Sequence, residues 1–171
     1  MKLQLVNDAD TLRIFEFERA NKKFFGDQGI YRDQVYYQYN RYIEYQAKAL
    51  EDQKRDKFYS YLILDDEGNV AGRLTLDDVS RRDRHSATLV LVIGDGYDRN
   101  AVRDECVDKI VEIAKSVHGL TRLEAYAEVD NVSWQIALLK GGFRFAGKYT
   151  SCRHKAGSSE FTDVVLFEYN F

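Results

Sequence analysis

The sequence predicts a mixed α/β (α+β) domain, and three observations point to it. Apolar runs rich in β-formers recur along the chain, the strongest being ATLVLVI at 87–93. Between them lie segments whose apolar residues return with helical spacing, so strands and helices interleave. The chain has 171 residues, 44% hydrophobic and 31% charged, which suits one sizeable core in a single domain, 1–171.

Each element has its own signal. Residues 1–6 alternate as a short strand. Asn7, Asp8 and Asp10 offer caps to an amphipathic helix over 11–25, which Gly26 and Gly29 end. A second helix over 33–55 carries Val35, Tyr36, Tyr39, Tyr42, Ile43 and Leu50 at helical spacing. The β-rich run at 58–64 and a strand at 70–76 form a hairpin across the turn DDEGN. The buried strand at 87–93 stops at Gly94-Asp95-Gly96. From 100 to 117 the period is helical, with Val102, Cys106, Val107, Ile110, Ile113 and Ala114 on one stripe and Gly119 as C-cap. A strand at 123–129 leads to a short helix at 131–140, stopped by Gly141-Gly142. Strands at 143–149 and 161–169, linked by 155–160, close the sheet. The chain contains no proline, so glycine and Asx residues supply the punctuation.

The bulk chemistry excludes several classes. A net charge of -3 argues against nucleic acid as a partner. MKLQLVNDAD has no apolar core of a secretory signal, and no apolar run approaches the ~20 residues of a membrane span. Cys106 and Cys152 follow no metal-ligand spacing and read as free thiols in a reducing cytoplasm. His85, His118 and His154 fall in loops or at element ends and read as solvated. No metal site is expected.

Several segments, taken in order, resemble the GNAT acetyltransferases, and within them the ribosomal-protein alanine N-acetyltransferase (RimJ/RimL) group. FEFERANKKFF at 15–25 is similar to that group's first helix, through Glu18, Asn21, Phe24 and Phe25. Residues 58–79 resemble its second and third strands, and 89–106 its fourth strand and pyrophosphate loop. GLTRLEAYAEVDN at 119–131 resembles the fifth strand and its exit, and GGFRFAGKY at 141–149 the terminal signature. Asp163 and the apolar run after it resemble the last strand. The resemblance implies a mostly antiparallel sheet of about seven strands with about four helices, whose fourth and fifth strands splay apart.

It also implies acetyl-CoA as cosubstrate. The Leu91, Val92 and Ile93 main chain lies where pantetheine pairs, although LVLVI must also pack a core. The family's loop, Q/R-x-x-G-x-G/A, falls on Asp98, Arg99, Asn100, Ala101, Val102 and Arg103. Here the first position is acidic, the middle glycine is alanine and the last small residue is arginine. An inward Asp98 repels phosphate. Arg99 and Arg103 either hold phosphate by charge-assisted bonds or are solvated residues of a helix start. The family's asparagine matches Asn131, which is equally a good N-cap. The family's serine position is Trp134, with Ser133 one residue early, and its tyrosine position is Leu138. Ser133 either replaces the proton donor or satisfies local backbone. Glu128, Asp77, Asp78 and Glu18 are the candidate bases, Glu128 because it ends the fifth strand.

The acceptor implied is a primary amine. Twelve tyrosines are many for this length, and Tyr36 and Tyr39 stand on a helix that overlies the family's acceptor cleft. With Asp33 and Glu44 nearby they either wall a cationic amine or are core rings with hydroxyls at the rim. Three functions stay open: acetylation of a protein N-terminus, acetylation of a small-molecule amine, and a GNAT-fold binding or regulatory module that has lost catalysis. The protein is expected as a monomer or homodimer.

Overall fold

The computed structural model describes residues 1–154 and 159–171. Seven strands form one sheet: β1 (Lys2–Leu5), β2 (Tyr59–Leu64), β3 (Val70–Ser80), β4 (Ser86–Ile93), β5 (Arg122–Glu128), β6 (Arg144–His154) and β7 (Phe161–Asn170). Their order is β1-β2-β3-β4-β5-β7-β6, and every pair is antiparallel except β4–β5. The expected sheet is therefore present, with strand ends moved by a few residues. Most of the expected link at 155–160 lies outside the described residues.

Among the described residues five α-helices accompany it, more than the four or so expected: α1 (Thr11–Ala20), α2 (Lys22–Asp27), α3 (Tyr39–Lys54), α4 (Arg99–Ser116) and α5 (Val132–Lys140). The first expected helix divides at Asn21, whose side chain bonds one turn back and across to the loop after β4. Its amide donates to the Phe17 carbonyl at 2.9 Å and its carbonyl accepts the Asp95 N–H at 2.8 Å. Gly26 does not break α2; the chain turns at Gly29, with φ of 76°. The second expected helix begins late. The Asp33 carboxylate takes the N–H groups of Val35 and Tyr36, a 3-10 turn spans Gln34–Tyr37, and Gln38 is extended. None of the helices among the described residues is long and apolar enough to cross a membrane.

The two sheet faces bury different layers. Leu74, Leu76, Leu89, Leu123 and Ala125 face Val102, Cys106 and Ile110 of α4 and Leu138 of α5. On the other face Leu62 and Leu64 pack against Ile14, Phe15, Tyr42 and Leu50 of α1 and α3. His118, read from sequence as solvated, is buried at 9% exposure, with its Nε2 2.5 Å from the Tyr61 hydroxyl. Gly72 lets β3 approach β4 closely, since a Cβ there would lie 2.4 Å from the Val92 carbonyl oxygen. β4 is thus held tightly on its β3 side.

Candidate active site

On its other side β4 is free. The parallel pairing with β5 runs from Ser86–Arg122 to Leu89–Ala125 and stops. Beyond that point β4 still pairs with β3 through Ile93, and β5 with β7 through Glu128. The strands part into a cleft of about 360 Å³. Leu91, Val92 and Ile93 line it, as do Glu128, Asn131 and Trp134.

Helix α5 keeps the strands apart. Main-chain carbonyls on a parting strand need donors. The Trp134 indole N–H donates to the Tyr126 carbonyl at 3.1 Å. The Gln135 amide donates to the carbonyls of Glu128 and Val129, at 3.2 and 3.0 Å. Asn131 caps α5, accepting the Trp134 N–H, and also lines the cleft.

The start of α4 behaves differently from the expected phosphate cradle. The Asp98 carboxylate accepts the N–H groups of Asn100 and Ala101, at 3.0 and 3.2 Å. The Val102 N–H bonds the Asp98 carbonyl, and its side chain is buried in the core. Asn100, Ala101 and Val102 are not among the cleft-lining residues. Arg99 and Arg103 are. Arg99 donates to the Gln28 side chain, and Arg103 to the Ser133 hydroxyl at 2.7 Å. Arg103 is 8% exposed. Burial, and then the neighbouring Arg99 charge, make it less ready to hold its proton. No carboxylate among the described residues forms an ion pair with either arginine, nor with Arg32 and Arg153, which also line the cleft. Ser133 is exposed and stands behind Arg103 rather than in the wall, its hydroxyl 3.4 Å from the Asn131 amide oxygen.

The tyrosines predicted for the acceptor are not brought to this cleft. The Tyr36 hydroxyl lies 3.3 Å from Arg73, and its ring packs against Tyr42. Tyr39 packs on Phe15. Asp33 is spent on its turn, and Glu44 pairs with Arg41 at 3.0 Å. Tyr31 and Arg32, on the segment after Gly29, line the cleft instead, opposite Tyr126. They lie outside any periodic stripe; the turn at Gly29 was their only signal. Of the candidate bases, Glu18 is fully buried against Arg73 at 2.8 Å. Asp77 and Asp78 sit at the end of β3.

A family model described as an acetyltransferase (GNAT) domain matches residues 3–144. No curated protein matches the chain. Among solved structures, the ribosomal-protein-S5-alanine acetyltransferase from Vibrio fischeri superposes with a TM-score of 0.89 at 15% identity, over 98% of this chain and 91% of that one. Mycobacterium smegmatis RimJ in complex with CoA-disulfide gives 0.83 at 16% identity, over 98% and 80%. The spermidine N-acetyltransferase from Vibrio cholerae in complex with CoA and spermine gives 0.78 at 13% identity, over 99% and 94%. At such identities these likenesses are likenesses of fold.

Proposed function

Since the chain belongs to the GNAT acetyltransferase family, we propose that it transfers an acetyl group from acetyl-CoA to a primary amine, on a peptide N-terminus or a small molecule. The parting of β4 and β5 after Leu89–Ala125 carries this reading. It leaves main-chain groups of Leu91–Ile93 facing a cleft, where they can pair with an extended amide-bearing arm. Solved structures of protein-acetylating and polyamine-acetylating enzymes share the fold, which supports an amine acceptor of either kind.

The residues fit the donor unevenly. The cleft and its exposed strand edge suit a pantetheine arm. The α4 amides do not suit a diphosphate, because Asp98 occupies two of them. The donor's phosphates fall instead to the side chains of Arg99 and Arg103, two cations with no carboxylate partner among the described residues. Acetyl-CoA supplies the activated thioester. Trp134 and Asn131 close the wall beside it. Glu128 stands half-buried in the same wall. Ser133 fixes the Arg103 guanidinium through their 2.7 Å hydrogen bond.

Calorimetric titration with acetyl-CoA, followed by thiol release with peptides beginning in alanine or serine and with spermidine, tests the proposal. Binding heat and amine-dependent thiol release are expected. No heat and no release with any amine would overturn it.

Asp98→Ala separates the two effects of that carboxylate. Loss of the cap should cost about 1 kcal/mol of stability. The two freed N–H groups should tighten acetyl-CoA binding severalfold, because an anion no longer competes for them. Thermal melts and calorimetry read the two signs; equal or weaker affinity would refute the competition.

A further inference from the structure

Asp77 has a combination found at no other carboxylate of the sheet. Its Oδ1 is buried without a hydrogen-bond partner among the described residues. It pairs in register with Thr88, which lines the donor cleft. Directly paired residues point to the same sheet face. Thr88 directly precedes Leu89, the last β4 residue paired with β5. Asp77 therefore lies one strand away from the point where the cleft begins.

The chain breaks its ladder immediately after Asp77. The register passes from Asp77–Thr88 to Ser80–Ser86, and Asp78 adopts φ of 51°. A left-handed aspartate inside a strand is a strained feature of the kind that clusters near reactive sites. A second cavity of about 540 Å³ lies at the break against α3, and Asp77 lines it with Tyr45, Asp52, Phe58 and Asp78. Asp77 thus lines the second cavity and is the cross-strand neighbour of Thr88 at the head of the donor cleft.

We propose that Asp77 is the general base of acetyl transfer and that the acceptor enters through this second cavity. The proposal rests on the amine-acetyltransferase reading above. The carboxylate takes a proton from the acceptor's ammonium, directly or through water. The freed nitrogen lone pair attacks the thioester carbon, the C–S bond breaks with its electron pair on sulfur, and the second proton lost by nitrogen passes to that sulfur to give the thiol. One proton moves to Asp77, and the acyl group moves from sulfur to nitrogen. Asp77 and Asp78, beside the rings of Tyr45 and Phe58, face an amine that arrives charged, while Asp52 is held by Lys48 and Lys57 also lines the cavity.

The surroundings tune this group from several sides. Burial raises the Asp77 carboxyl above the ordinary range, opposed in part by Thr75; Asp78 adds to the rise, and Arg73 and Arg32 lower it. From α3, Lys48 is paired with Asp52 at 2.8 Å, and Lys57 stands just before β2. Among the alternatives, Glu18 is consumed by Arg73.

Asp77→Asn is the test. With the better of spermidine and an alanine-starting peptide as acceptor, kcat should fall by roughly 10²-fold, the size of one lost proton transfer. The acid limb of the wild-type pH profile should vanish, while acetyl-CoA affinity by calorimetry stays within twofold. Asp77→Glu should restore part of the rate. The melting temperature at neutral pH should not fall, because an amide removes the cost of charging a buried carboxyl. Wild-type turnover with an unchanged Asp77→Asn rate or pH profile overturns the base assignment alone. Loss of acetyl-CoA binding together with rate marks a structural role and overturns it as well. A wild-type protein inactive on every amine overturns the function itself.

Discussion

Replacing Arg73 with methionine is expected to remove about 3–5 kcal/mol of stability, because it leaves a buried carboxylate with no cation. The Glu18 side chain is fully buried and that of Arg73 is 12% exposed, at 2.8 Å. Arg73 also donates to the Tyr36 hydroxyl at 3.3 Å and approaches the Ser60 hydroxyl at 3.5 Å. The pair joins α1, β3, β2 and the segment that leads to Tyr31 and Arg32. It is imperfect, since Glu18 Oε2 and Arg73 Nε have no partner among the described residues. Taking both charges out of water is costly, and their attraction repays only part of that cost. The double variant Glu18→Leu/Arg73→Met should therefore regain most of what the single one loses. Urea unfolding at constant m-value measures both. A single-variant loss below about 1 kcal/mol would mean the carboxylate is protonated or hydrated when alone.

Arg103→Ala is expected to weaken acetyl-CoA binding by about 10- to 100-fold, the loss of roughly 1.5–3 kcal/mol for a hydrogen bond to a charged group. The guanidinium is buried in the cleft wall and lacks an acidic partner among the described residues. Arg103→Lys should recover only part of the affinity, because an ammonium is a point charge rather than a planar fork. Affinity for acetyl-pantetheine, which has no diphosphate, should be unaffected. Ser133→Ala should change donor affinity by less than the arginine variants do. Unchanged acetyl-CoA affinity in Arg103→Ala would return the diphosphate to the α4 amides.

The strands were legible because burial imposes a short-range pattern. The run at 87–93 packs Ala87, Leu89 and Ile93 into one core, and its apolar character follows from that. The stripe from Val102 to Ala114 faces the same core and was read for the same reason. Where a side chain left its own helix for a distant partner, periodicity misled. Asn21 fits a helix by spacing, yet its side chain accepts the distant Asp95 N–H, and the helix divides there. Tyr36 and Tyr39 form a helical stripe, and such a stripe marks the rings that pack on neighbouring elements. Tyr31 and Arg32 reach the cleft from a segment with no period at all. The Asp98 cap was hidden for another reason: the sequence contains the carboxylate but not the direction in which it points.

The hydrogen bonds from Trp134 and Gln135 to the β5 carbonyls bear on how a donor enters. Two parallel strands that begin in register tend to continue, each added pair satisfying more backbone. Here the carbonyls that would continue the ladder are already satisfied from the side by a neighbouring helix. The gap between β4 and β5 is thus set when the chain folds. Association then proceeds by insertion between two fixed rails, with no ladder to unzip first, and the interaction energy goes into holding the donor instead of reshaping the sheet.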